Sequence, residues 1–337
     1  MAMTAEASAE MAPAISSRIV RYADLVPCYN AFIDTRTPGS EAKENFTIIG
    51  PGVSENPAQY VHIAESHGFN IGGARQPPHC VNSQHSHDSA EVFVVMTGRW
   101  RFDLGEDGTD AQVELAPGDL ISLPTATFRG FTNIGGETGF LFAILGNDDP
   151  GRVTWAPQVF SMAKEYGLVL LDSGRLIDTA AGERLEAGMV PMPPTSAAAA
   201  AKMQRLTPAQ AQALVVRASA APGLTALIGP DAPIAWPHGF GVSRLVGPGS
   251  HAFGGHAAAR VIWVQSGDVS CRCADADLVL GAGDTFTVPQ GAAAALDIGD
   301  GAAVFVVTGD LAGEITGGLT GGLSGGLTGD LTGDLAA

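Results

Sequence analysis

Gln84-His85-Ser86-His87-Asp88-Ser89-Ala90-Glu91 runs straight into the apolar stretch Val92-Phe93-Val94-Val95-Met96-Thr97, which stops at Gly98. In an extended strand, side chains two apart share a face. His85 and His87 therefore point the same way, and Ser86 points opposite. Glu91 has the same parity and opens the next strand. Two imidazoles and one carboxylate on one face form a donor set that non-haem iron uses, and that manganese, nickel or zinc accept as well. Gly98 permits a tight turn, so Arg99 to Leu104 can pair back on the strand before it.

The spacing His-x-His, three residues, Glu, six residues, Gly resembles the first motif of the cupin superfamily. A second motif a few strands later reads Gly118-Asp119-Leu120-Ile121-Ser122-Leu123-Pro124, then Thr125 to Arg129, then Asn133. Its Gly, Pro and Asn positions match. Three positions depart from the pattern. His79 replaces the Gly that commonly opens the first motif, Ala126 stands where Gly is usual, and Arg129 stands where the fourth metal-binding His is usual. The resemblance implies a jelly-roll barrel with a divalent ion held by His85, His87 and Glu91: Fe(II), or else Mn, Ni or Zn.

Guanidinium has no acceptor and stays charged, so Arg129 cannot ligate a cation. Pointing inward, it would leave a metal position open and offer a fork to a substrate carboxylate or a developing oxyanion. Turned to solvent, it would leave water in the vacancy. His79 has the parity to supply a ligand in its place. Glu91 is expected to act also as a proton acceptor, so Glu91 and Arg129 are the candidate catalytic residues. Asn82, Arg75, Trp100 and Phe131 are candidates for the barrel mouth. Gln84 and Ser86 face away, and His62 and His67 lack ligand spacing.

Length and composition fit this reading. The 337 residues favour two domains. The 44 Gly and 21 Pro imply many turns and suit an all-β chain. A formal charge of −17 repels phosphate backbones and anionic membrane surfaces, so neither nucleic acid nor membrane is an expected partner. The first twenty residues show no basic, then apolar, leader pattern, and no apolar run is long enough to span a bilayer. Cys271-x-Cys273 alternates on a strand and suits reduced thiols; with Cys28 and Cys80 it points to a reducing, cytoplasmic location.

Short apolar runs at 91–96, 99–104, 112–115, 119–123, 127–132 and 139–145 alternate with turns, as a barrel or sandwich requires. Strands are also expected at 46–49, 60–64 and 69–74. Pro157 to Tyr166 predicts a helix stopped by Gly167, Asp172-Ser173-Gly174 a hairpin, and Thr207-Pro208 a helix start. A second β-rich block spans 235–308. Aligned on Gly267, it places His256 where His87 stands, but Gly254, Arg260 and Ala294 at the other ligand positions. It should hold no metal, and His251 and His256 read as polar core or surface.

The expected architecture is all-β: two tandem cupin barrels, a bicupin, with a short helix-containing linker. Its parts are a disordered 1–17, an N-terminal metal-binding barrel over 18–160, a linker over 161–230, a degenerate barrel over 231–312 and a flexible Gly/Leu/Thr repeat tail over 313–337. The resemblance implies an enzyme of the quercetin or gentisate dioxygenase kind, acting on a small aromatic or carboxylated, anionic molecule. A non-redox lyase or isomerase and a non-enzymatic binding protein are the alternatives, and a monomer or homodimer the expected assembly.

Overall fold

The computed structural model describes residues 15–235 and 238–309. The disorder expected at the N-terminus, as far as residue 14, and the flexible repeat tail expected over 313–337 lie outside the described residues.

The first half holds the strands expected around the first motif, together with short ones at 19–20 and 153–155. They are β1 (Ile19–Val20), β2 (Glu44–Ile49), β3 (Val61–Ile63), β4 (Phe69–Gln76), β5 (Val81–His87), β6 (Glu91–Thr97), β7 (Trp100–Leu104), β8 (Ala111–Leu115), β9 (Leu120–Leu123), β10 (Arg129–Asn133), β11 (Gly139–Gly146) and β12 (Val153–Trp155). A helix, α1 (Pro157–Glu165), leads to the hairpin β13 (Leu168–Leu170) and β14 (Leu176–Asp178). Two short helices, α2 (Ala197–Ala200) and α3 (Pro208–Ala213), precede β15 (Val215–Val216). Thr207 caps α3 in a capping box with Gln210, as the Thr-Pro start predicts. The second half holds β16 (Gly223–Ile228), β17 (Phe240–Val246), β18 (Gly249–Phe253), β19 (Arg260–Ser266), β20 (Val269–Cys273), β21 (Ala276–Leu280), β22 (Thr285–Val288), β23 (Ala294–Ile298) and β24 (Ala303–Gly309).

Each half closes two sheets face to face. In the first, β12-β5-β10-β7-β8 packs on β15-β9-β6-β11-β4-β2-β3; in the second, β18-β23-β20-β21 packs on β1-β22-β19-β24-β17-β16. The solvent-side sheets show alternating burial, as in β7, β8, β20 and β23. By contrast, β6, β19 and β24 are buried along nearly their whole length. Their outer faces meet, so both sides of each strand are covered. That seam joins Phe69, Phe142 and Ile144 of the first half to Phe240, Trp263 and Phe305 of the second. Phe142 and Trp263 stack with centroids 4.3 Å apart.

The expected domain boundaries shift at three places. Ile15 is buried in the second barrel's core, so the ordered chain begins before residue 18. Ile19 and Val20 pair with Phe286 and Thr285 of β22, which puts the start of the expected N-terminal domain in the C-terminal sheet. Gly223 to Ile228 pairs with β17, so the second barrel starts inside the expected linker. In exchange, Val215 and Val216 pair with Ile121 and Leu120 of β9. Such two-residue pairings carry no hydrophobic period that a sequence reading can detect.

The second barrel's interior is filled by Ile262, Val264, Cys271, Cys273, Phe286, Leu296 and neighbours. All four cysteines are free and buried. Among the described residues, no helix is long and apolar enough to cross a membrane.

Candidate metal centre

His85, His87 and Glu91 converge inside the first barrel, with one potential ligand atom from each lying within 4.8 Å of the others. Among the described residues no other group of three His, Cys, Asp or Glu side chains does so. β5 delivers both histidines with strand parity, and the Asp88-Ser89-Ala90 bend carries the chain to the facing sheet, where Glu91 opens β6. All three are buried, at 6%, 4% and 4% exposure.

The local bonding suits a cation. His85 Nδ1 lies 2.7 Å from the Ser83 carbonyl oxygen, which accepts its proton and leaves Nε2 as a lone pair facing inward. His87 Nδ1 is buried and has no hydrogen-bond partner among the described residues. His87 Nε2 sits 3.6 Å from Glu91 Oε1. That is too long for a hydrogen bond, and both atoms would be available as ligands to a divalent ion. Burial, helped by the nearby Arg129 charge, pushes the His85 imidazole down to about 3 and lowers His87 well below the usual range. Both rings are therefore neutral at physiological pH, the form that ligates. These donors fit a divalent ion of the iron, manganese, nickel or zinc class.

Arg129 points inward, and this decides between the two orientations left open by the sequence. It is fully buried and lies opposite His85 in the β10–β5 pairing. Its Nε and Nη2 donate to Glu91 Oε2 at 3.1 and 2.8 Å, and Nη1 donates to the Thr127 carbonyl at 3.0 Å. The expected grip on a substrate is thus replaced by a grip on Glu91, because the fork's donors meet protein acceptors first and Arg129 does not line the cavity. Burial pushes the Glu91 carboxyl up, and the guanidinium offsets part of that rise. Glu91 Oε2 is committed to Arg129, and Oε1 is left facing His87.

His79, the other candidate ligand, is exposed on the rim with φ +64°. Ala126 has φ +55°. Both therefore occupy the left-handed backbone region that explains why Gly is usual at these two positions.

The trio borders a cavity of about 80 Å³. Asn82 and Phe131 line it as expected, together with Phe93 and Trp155. Arg75 instead pairs with Glu44, and Trp100 is a core residue that donates to the Thr97 carbonyl. Gln84 faces away and donates to the Asp103 and Gly105 carbonyls. His62 is bound by backbone at both nitrogens, to Val26 N–H and the Thr47 carbonyl, and His67 contacts the Glu65 carbonyl.

Four residues of the site carry no local sequence signal. Trp155 pairs with His85 across β12 and β5, its ring centroid 5.4 Å away. Its indole Nε1 donates to Glu55 Oε1 at 2.6 Å, while Ile33 N–H donates to Glu55 Oε2 at 2.7 Å. Burial nevertheless pushes the Glu55 carboxyl up to about 8. Lys43 lines the cavity and forms a buried ion pair with Asp34.

Among the described residues the second barrel holds no such centre. Arg260, at the position equivalent to Glu91, donates to the Gly254 carbonyl and lies over the Phe253 ring. His256 accepts from Ala258 N–H through Nδ1.

Residues 74–145 match the family model of the cupin domain. No curated protein matches the chain. Among solved structures, the chain is similar to the oxalate decarboxylase of Lactobacillus farciminis in its formate complex, at 11% identity and TM-score 0.52, covering 87% of this chain and 86% of that one. It is similar to YhhW from Escherichia coli at 11% identity and TM-score 0.50, covering 87% and 97%. It is also similar to procruciferin, the 11S globulin of Brassica napus, at 11% identity and TM-score 0.51, covering 80% of each chain. At such identities the likeness shows the fold, an all-β pair of cupin barrels over most of the chain. It does not carry the resemblance to quercetin and gentisate dioxygenases, and a fold shared by a decarboxylase and a globulin selects no activity.

Proposed function

We propose that the first barrel is a metal-dependent enzyme acting on a small carboxylate, with Fe(II)-dependent dioxygenation as the first reading. The observation that carries it is the convergence of His85, His87 and Glu91 on the wall of one cavity. His85 Nε2, a His87 ring nitrogen and Glu91 Oε1 would hold the ion. The ion, when bound, supplies Lewis acidity and, if it is iron, access to dioxygen chemistry.

The chain's own residues do the rest. The Ser83 carbonyl fixes the His85 tautomer. Arg129 holds Glu91 Oε2 and so orients Oε1, which makes Arg129 a positioning residue. With Oε2 held by Arg129 and Oε1 in the ligand set, Glu91 keeps no free oxygen for the proton-acceptor role expected from the sequence. Phe93, Phe131 and Trp155 wall the cavity with apolar surface and keep bulk water out. Glu91 and Arg129 cancel in charge and the imidazoles are neutral, so a divalent ion leaves the buried site positive. An anionic substrate offsets that cost. A cavity of about 80 Å³ has room for a few waters or a ligand of a handful of heavy atoms, which supports a short acid over a polycyclic aromatic.

The second reading is a non-redox lyase or isomerase, in which the ion would act only as a Lewis acid. Elemental analysis of protein purified without a His tag, together with oxygen uptake by the Fe(II)-loaded form across short carboxylic acids, catechols and gentisate-like acids, tests the proposal. His87→Ala should abolish metal loading while His256→Ala leaves it unchanged. Oxygen consumption matched to product supports the dioxygenase. Turnover under nitrogen with Mn(II), Ni(II) or Zn(II) supports the non-redox enzyme. Saturable binding without product would make the barrel a binding module. Equal metal loss from both variants overturns the single-centre reading.

A further inference from the structure

We propose that Lys43 and Asn45 form an anion subsite at the cavity wall, so that the substrate is a small dianion with one carboxylate toward His85, His87 and Glu91 and the other on Lys43. This rests on the metal-dependent reading above and adds the class of substrate.

Lys43 is 1% exposed and lines the same cavity as the metal-ligand trio. A buried lysine is rare unless something requires its charge. Its ammonium carries three N–H donors, and its described bond goes to Asp34, itself fully buried. Asn45, two residues on at the start of β2, also lines the cavity. Its Nδ2 is buried and has no hydrogen-bond partner among the described residues. Two donors with unused capacity thus border one small cavity. A carboxylate there would accept from both.

The subsite is also tied to the metal centre. Asp34 accepts from Lys43 through Oδ1 and from Ser83 N–H through Oδ2, at 2.9 Å for the latter. The Ser83 carbonyl in turn accepts from His85 Nδ1. One hydrogen-bonded chain therefore sets Lys43 relative to His85. The charges agree with a dianion. Lys43 cancels Asp34, Arg129 cancels Glu91, and a divalent ion adds two positive charges, which two carboxylates bring to zero.

Isothermal titration of the metal-loaded protein with malonate and with acetate tests this. Wild type should bind malonate at least about 10-fold more tightly than acetate. Lys43→Met should weaken malonate roughly 10- to 100-fold, as expected for a lost charge-assisted hydrogen bond, and change acetate less than about threefold. Asn45→Ala should cost malonate a smaller factor. Lys43→Met strands Asp34, so the double variant Asp34→Asn/Lys43→Met removes the pair together while keeping an acceptor for Ser83 N–H; it should show the same selective loss. Unchanged malonate affinity in the folded variants, or equal loss of malonate and acetate, overturns the subsite. Metal content read in parallel separates the two ideas. Wild type without metal, but with Lys43-dependent malonate binding, refutes the metal centre and supports the subsite. Metal-loaded wild type indifferent to Lys43 does the reverse.

Discussion

Arg129 and Glu91 form an ion pair with almost no contact with water, the carboxylate held on one oxygen by two guanidinium donors. Breaking a buried pair from one side strands the other charge and costs about 3–5 kcal/mol. Arg129→Met should therefore destabilise the metal-free protein by about that amount. A divalent ion neutralises the same carboxylate from its other oxygen, so the deficit should shrink at saturating Mn(II) or Zn(II). Thermal denaturation of wild type and variant, each with chelator and with metal, measures both deficits. Equal deficits in the two conditions would mean that Glu91 does not face an ion. The pair also marks how far a single chain can be read. The alternation of His85, His87 and Glu91 is local and shows in the sequence. That Arg129 faces inward depends on the β10–β5 register, which a sequence fixes only through its partner strand.

At the scale of elements, the two motif strands β5 and β6 and the hairpin after them were legible, since the His-x-His parity, the apolar run of β6, the alternating burial of β7 and β8 and the turn glycines write themselves into local sequence. The rest of the cavity's surroundings was not. Asp34 and Lys43 come from the segment leading into β2, Asn45 from the start of β2 itself, Glu55 from the loop after it, and Trp155 from a three-residue strand beyond the barrel's last long strand. Only tertiary packing brings them to one place, and none has a periodic neighbour to announce it. Glu55 shows what such a contact does. It ties the loop at Ile33 to β12 through Trp155. Its carboxyl is raised from 4.5 to about 8 in the folded protein. Below about pH 4.5 it is protonated in both states. Between about 4.5 and 8 only the folded state keeps the proton, so this contribution to stability falls as pH rises and is lost through pH 8. Glu55→Gln mimics the protonated form and lacks that slope. Its one mismatched donor adds an offset that does not vary with pH. Across the window, denaturant unfolding should show wild type losing about 1.4 kcal/mol per pH unit relative to the variant. Parallel curves would place Glu55 ionised in the fold.

The whole molecule binds its two barrels into one body. β1 joins the second barrel's sheet and β15 the first barrel's, and the outer faces of β6, β11, β19 and β24 share one apolar seam. The second barrel keeps the fold while apolar side chains fill its interior, so its contribution to the centre is to cover the outer face of the sheet that carries Glu91. Trp263 tests this, because it belongs to the second half yet is fully buried against Phe142 and Phe305. Truncating a buried Trp to Ala costs about 3–5 kcal/mol. If the halves were independent, Trp263→Ala would lower the melting of the second barrel alone, and bound metal would stay with the first until a later transition. With a shared seam, the loss reaches both. Unfolding followed by circular dichroism and by release of metal to a chromogenic chelator should remain coincident in the variant and shift together to lower temperature. Two separated transitions, with metal released only in the upper one, would show that the centre's barrel stands without its neighbour.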